Sequence, residues 1–199
     1  MPISESLLPH LRSNPARKLC GLVIGHKKQS PGAINHHSTL TEFDFNDDLS
    51  RRIEQYVQAT FVQRVYRRTY RELPDDLNAL KADFVIDLHC NSLNTKATGT
   101  EVLYYHKSEI GKSIAGILLN HLVNHLRLPN RGIKPKTSED KGGYLLKYTT
   151  APSVISEPFF IDNDNDLARA NSNIEGFAAA YAAAIDAISK FLDKSPNIT

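Results

Sequence analysis

The sequence predicts a single α/β domain, built on an open, mostly parallel, twisted sheet with helices on both faces. Three observations predict it. Short runs rich in Val, Ile and Leu alternate along the chain with segments of helical period, the pattern of strands joined through crossover helices. The 199 residues suit one domain at roughly 150 residues per domain. With 41% hydrophobic and 23% charged residues, the chain can fill a core of that size.

The elements follow in order. Residues 1–17 read as an N-terminal extension, 18–192 as the folded domain and 193–199 as a tail. "KLCGLVIGH" (18–26) is an apolar strand closed by Gly25 and His26. "FNDDLSRRIEQYVQATF" (45–61) reads as a helix, with acids in the first turn where the macrodipole favours them. "VQRVYRR" (62–68) suggests a strand, and "PDDLNALKA" (74–82) a short helix with Pro74 near its start. "DFVIDLHCN" (83–91) and "TEVLYYH" (100–106) are strands. Residues 108–128 form a helix whose apolar stripe is Ile110, Ile114, Ile117, Leu118, Val123 and Leu126. "PNRGIKPKTSEDKGG" (129–143) is rich in Pro, Gly and charge and reads as a loop overhanging the sheet's rim. The strand "SVIS" (153–156) follows, then helix from about Asp164 onward, with Ile174, Phe177, Tyr181, Ile185 and Ile188 on a core-facing stripe.

Composition excludes several classes. Lys and Arg less Asp and Glu is 24 − 22 = +2, without the basic footprint of a nucleic-acid binder. Cys20 and Cys90 make no disulfide framework and read as inert core thiols. "MPISESLLPH" lacks the basic start and apolar stretch of a secretory signal. The alanine-rich "FAAAYAAAIDAISKFL" is interrupted by Asp186 and Lys190, and no run approaches the ~20 apolar residues of a membrane span. The expectation is a protein with no nucleic-acid or membrane partner, a monomer by preference.

The chemistry gathers at strand ends. Open α/β sheets bind ligands beyond the carboxyl ends of their strands. His26 follows "LVIG", His89 follows "FVIDL" and Glu157 follows "SVIS", while Glu42 lies in what reads as a loop before the first long helix. Pro158 stops the last strand immediately after Glu157. A bare carboxylate in an apolar place costs several kcal/mol unless it is paired or bound to metal. Two histidines and a carboxylate with an open fourth position are a recurrent ligand set for catalytic zinc. The second carboxylate then has a task, moving protons to and from water and a leaving amine. Satisfied core histidines are the plainer reading of the same residues.

Four segments add to this in their order and company. They are "VIGHKKQSPGAIN", "TEFDFNDDLSRRI", "FVIDLHCNSLNTKATGTEVLYY" and "APSVISEPFFIDN". With these the chain resembles the zinc-dependent N-acetylmuramoyl-L-alanine amidases of the amidase-3 type, over roughly residues 18–192. The resemblance implies that His26, Glu42 and His89 hold Zn2+ and that Glu157 is the catalytic acid and base. It also implies the substrate, the amide joining the lactyl group of N-acetylmuramic acid to L-alanine in peptidoglycan. A cell-wall hydrolase or phage lysin is the expected type, made in the cytoplasm and acting on the wall after release. A zinc peptidase or small-amide hydrolase on the same scaffold stays open, as does a non-catalytic peptidoglycan-binding module.

Departures and competitors complete the reading. Lys27 and Lys28 follow Gly-His where the family often has small residues; they either reach stem-peptide carboxylates or stay solvated. His36 and His37 stand between two of the implied ligands, and His121 and His125 have metal-pair spacing on one helix. A mobile loop and a helix without an intervening Glu are poor platforms for either pair. Asp87, two before His89, is either a partner that orients the imidazole or a solvated edge residue.

Overall fold

The computed structural model describes residues 17–194. The extension before residue 17 and the tail after 194 lie outside the described residues. Six strands, β1 (Leu19–Ile24), β2 (Phe61–Tyr66), β3 (Phe84–Leu88), β4 (Thr100–Tyr105), β5 (Asn130–Lys136) and β6 (Ser153–Glu157), form one sheet in the order β2-β1-β3-β6-β4-β5. Every neighbouring pair is parallel except β4 with β6. The helices are α1 (Glu42–Tyr56), α2 (Leu73–Leu80), α3 (Glu109–Leu126), α4 (Gly143–Tyr148), α5 (Asp164–Asn171) and α6 (Ile174–Lys194).

Strand alternation divides the core into two layers. Leu22, Ile86, Val102 and Val154 face one side, where α1, α3 and α6 cover them with Leu49, Leu118, Phe177, Tyr181 and Ile185. Val23, Val65, Val85, Leu103 and Ile155 face the other, against Leu77 of α2 and Leu145 of α4. The stripes predicted for α3 and α6 both lie in or against the first layer. Among the described residues no helix is long and apolar enough to cross a membrane.

Several boundaries differ from the sequence-based expectation, the first helix also ending at Tyr56 and not at 61, and two of the differences have a clear physical reason. The first helix begins at Glu42, not at 45, because Thr41 caps it: the Thr41 hydroxyl accepts from the Asp44 N–H at 3.2 Å. Glu42 is therefore the first helical residue and not part of a loop. The stretch 129–143 is not all loop, since Asn130–Lys136 is β5. It lies at the sheet's edge, where Pro135 needs no outward ladder bond. Gly132 has φ +84° beside a register shift opposite Thr100 and Glu101, the place where a bulge calls for glycine.

One sheet row sets up the site. Val65, Val23, Asp87, Ile155 and Leu103 are matched across five strands. Two residues further along, β2, β1, β3 and β6 lead to Arg67, Gly25, His89 and Glu157. Because β4 runs the other way, its residue opposite Glu157 is Glu101.

Candidate metal centre

Gly25 and Gly32 make room for the imidazoles. A Cβ at Gly25 would run into the Leu88 carbonyl and lie 2.8 Å from the His89 ring. Gly25 N–H instead extends the β1–β3 ladder to Leu88 O at 2.9 Å. His26 then takes φ +67°, a left-handed turn that is uncommon away from glycine. Gly32, at φ +83°, lies where a Cβ would be 2.5 Å from Glu42 Oε2 and 2.6 Å from the His26 ring.

Glu42 enters from the other side of the rim, on the first turn of α1. One turn later, Asn46 Nδ2 donates to Leu88 O at 3.2 Å and ties that helix to the end of β3. The buried Glu42 carboxylate accepts the Cys90 N–H at Oε1 (2.9 Å) and the Ala33 N–H at Oε2 (3.1 Å). Its free lone pairs face the two rings, with Oε1 2.8 Å from His89 Nδ1 and Oε2 3.1 Å from His26 Nε2. One ligand atom from each of His26, Glu42 and His89 lies within 4.8 Å of the others, a group that could hold a metal ion.

The electrostatics favour a cation there. Burial works to raise the Glu42 pKa, but hydrogen bonds and charge from His26 and His89 overcome it and hold the carboxyl well below the usual range. His89 lies between two carboxylates, with Asp87 Oδ2 3.2 Å from its Nε2. Burial opposes a charged His89 ring, yet Asp87 and then Glu42 hold its pKa well above the ordinary value. Two buried carboxylates facing one ring create a demand for positive charge that a divalent cation meets. A ligating imidazole usually donates its other N–H to a carboxylate, the place Asp87 takes here. Of the two readings of Asp87, the orienting partner fits; the residue is buried, not solvated.

Glu157 stands beside this group without a matching partner. Its Oε2 is buried and makes no hydrogen bond among the described residues, and the same is true of Asp87 Oδ1. Burial pushes the Glu157 carboxyl up to about 8; His89 opposes the rise and Glu42 adds to it. Glu101, the opposing carboxylate, is neutralised where it lies: Arg131 Nε donates to its Oε2 at 2.9 Å and Asn91 Nδ2 to its Oε1 at 2.8 Å. Of the two opposing acids, Glu157 is the one with a buried oxygen left unpartnered among the described residues.

Two cavities meet at these residues. The larger, about 570 Å³, includes Arg67, Tyr70, Glu101 and Tyr144 in its walls, with residues 138–142 along one side. The smaller, about 260 Å³, is walled by Gly32, Ala33, Glu42 and Ser92. His26, His89, Asn91, Lys141 and Glu157 line both. The part of 129–143 that is loop therefore flanks the larger cavity.

The competing histidines lie elsewhere. His36 and His37 are exposed, and His37 Nδ1 pairs with Asp164 Oδ2 at 2.5 Å. His125 stacks on Phe177 at 5.8 Å between centroids and 7° between planes. Cys90 is buried, its Sγ 3.8 Å from Asn46 Oδ1, and burial pushes its thiol pKa up. Lys27 and Lys28 line neither cavity. Arg67 is the residue that sequence reasoning passed over. Its signal is the two-residue step beyond Val65, which gains meaning only when β2 is known to flank β1.

Comparison with known proteins gives the lineage of this arrangement. A family model described as N-acetylmuramoyl-L-alanine amidase matches residues 21–187. Bacillus subtilis YqiI is 26% identical over 178 residues, covering 85% of this chain and 82% of YqiI. The N-acetylmuramoyl-L-alanine amidase LytC of the same organism is 26% identical over 167 residues, covering 79% of this chain and 32% of LytC. The fold matches the crystal structure of an N-acetylmuramoyl-L-alanine amidase from Clostridium difficile with a TM-score of 0.75 at 18% identity, over 90% of this chain and 98% of that one.

Proposed function

The chain belongs to the N-acetylmuramoyl-L-alanine amidase family, and from that premise we propose that it cuts peptidoglycan with zinc held by His26, Glu42 and His89 and with Glu157 as acid and base. The scissile bond is the amide between the lactyl group of N-acetylmuramic acid and L-alanine. One observation carries the reading: two imidazoles and a carboxylate converge within 4.8 Å beside a carboxyl whose buried Oε2 has no hydrogen-bond partner among the described residues.

The residues fit the metal in donor type, two neutral nitrogens and one oxygen, and in the charge demand around His89. Zinc held there would polarise the scissile carbonyl, draw the pKa of the attacking water toward about 7 and favour the ionised form of Glu157. Everything else falls to the chain. Asp87 fixes the tautomer and tilt of His89, leaving Nδ1 free toward Glu42. Ionised Glu157 takes a proton from the attacking water. The protonated carboxyl then returns that proton to the L-alanine nitrogen as the bond breaks. Glu101 stays a spectator, because Arg131 and Asn91 already occupy its oxygens. The place of action is the cell wall, and the partner is the peptidoglycan substrate.

Metal dependence tests the reading. Purified protein should hold about one zinc per chain, lose activity on chelation without unfolding, and regain it with zinc. Full activity in thoroughly chelated protein rejects the site.

A further inference from the structure

Arg67 is a cation without a countercharge at the mouth of the active site. Two nearby arginines are engaged: Arg64 pairs with Glu54 at 2.9 Å, and Arg68 with Glu72 at 3.1 Å and Asp76 at 2.6 Å. Half-buried Arg67 has no carboxylate within 4.0 Å among the described residues. Its contacts are His26 Nδ1, 3.4 Å from one terminal nitrogen, and the face of Tyr70, 5.8 Å from the ring centroid. A guanidinium has five N–H donors in a fork that matches a carboxylate, so most of its capacity is unspent.

Apart from Glu157 Oε2 and Asp87 Oδ1, which have no hydrogen-bond partner among the described residues, the acids sharing its cavity are engaged elsewhere. Asp87 serves His89, and Glu101 serves Arg131 and Asn91. Asp140 accepts from Thr137 N–H at 2.7 Å and its hydroxyl at 2.9 Å, while Glu139 accepts from Ser138. Lys136 and Lys141 add positive charge to the same walls.

Building on the amidase reading, we propose that the larger cavity takes the peptide arm of the substrate and that Arg67 selects for a free carboxylate on its second residue. The row along the rim supplies the geometry. Arg67, His89 and Glu157 all line the larger cavity, so a chain running along its wall from the metal site passes the guanidinium. Arg67 reaches the far side of the His26 ring from the nitrogen that faces Glu42. Extended chain covers about 3.3–3.6 Å per residue, so a carboxylate on the second residue lies about 7 Å from the scissile bond. In peptidoglycan that residue is glutamate linked through its side chain, and its α-carboxyl is free in some walls and amidated in others. A bidentate guanidinium distinguishes the two forms, because the amide offers one acceptor, adds donors and carries no charge.

The test uses two soluble MurNAc-pentapeptides that differ only in whether that α-carboxyl is free or amidated, with kcat/KM measured on each. Zinc-loaded wild-type protein should favour the free acid by about 10- to 100-fold, the worth of a charge-assisted pair. Arg67→Gln should bring the ratio near unity, and Arg67→Lys should keep part of it. Lys28→Ala, outside both cavities, should leave the ratio where it was. The ratio is internal to each sample, so a metal loss that scales both rates leaves it readable. Equal cutting by the wild type, or a preference that survives Arg67→Gln, overturns the proposal and leaves the amidase reading standing. Failure to cut either compound overturns both.

Discussion

Replacing Glu157 by Gln separates proton transfer from metal binding and from folding. Gln is nearly isosteric, and the surrounding packing does not depend on the carboxyl. Ser156 Oγ holds Tyr181 OH at 2.5 Å on the opposite face, and Phe159 and Phe160 bury beyond Pro158. Glu157 Oε2 makes no hydrogen bond that the change would break. The variant should therefore keep its fold and, with His26, Glu42 and His89 untouched, its zinc. Turnover should fall by about 10²–10⁴-fold, the usual contribution of a general acid–base group. The assay pairs zinc content and melting temperature with the rate of peptidoglycan hydrolysis on one preparation. Near-wild-type turnover would refute the assignment, and so would loss of zinc with turnover, which would make Glu157 a ligand.

Three further outcomes follow from the same geometry. Glu42→Gln should lose most of its metal affinity in a zinc titration, because a neutral amide replaces the charged donor between the rings; zinc binding at wild-type strength would exclude Glu42 as a ligand. Asp87→Asn should weaken zinc binding by about 10- to 100-fold while the protein stays folded, as loss of an orienting carboxylate does elsewhere; unchanged affinity would reduce Asp87 to a buried bystander. The metal-free protein should lose thermal stability from about pH 5 to about pH 8. Glu157 holds its proton more tightly folded than unfolded, so its contribution is complete below the ordinary 4.5 and is lost as pH rises toward about 8. His89, also raised, acts in the same direction, whereas depressed Glu42 stabilises above its ordinary value and matters only in acid. Melting curves across that range, with and without zinc, check the sign; a metal-free melting temperature that climbs toward pH 8 would contradict it.

Much of the site was legible because sheet chemistry concentrates at strand ends. His26, His89 and Glu157 each follow an apolar run that only a buried strand explains, and β1, β3 and β6 lie parallel so that those ends share one rim. Glu42 was picked out as a fourth candidate but placed in a loop, although Thr41 with Asp44 three residues on spells the cap that starts the helix at Glu42. Composition misread β5, since Pro135 and Gly132 look like breakers until the strand is known to be an edge. The mostly parallel direction was readable from the alternation of strands and helices, but the strand order and the reversal of β4 were not. The neighbour relation of β2 and β1 brings Arg67 to the site, and the reversal of β4 sets Glu101 against Glu157. Both are long-range pairings that no local pattern encodes.

The central claim is the bond that is cut. Mass spectrometry of purified peptidoglycan after digestion by the zinc-loaded protein reads it directly. The account predicts stem peptides that begin with a free L-alanine amine and glycan strands whose lactyl groups end in free carboxylates, both absent from the Glu157→Gln digest. Fragments cut within the stem peptide or between sugars, with the lactyl–alanine amide intact, would contradict it.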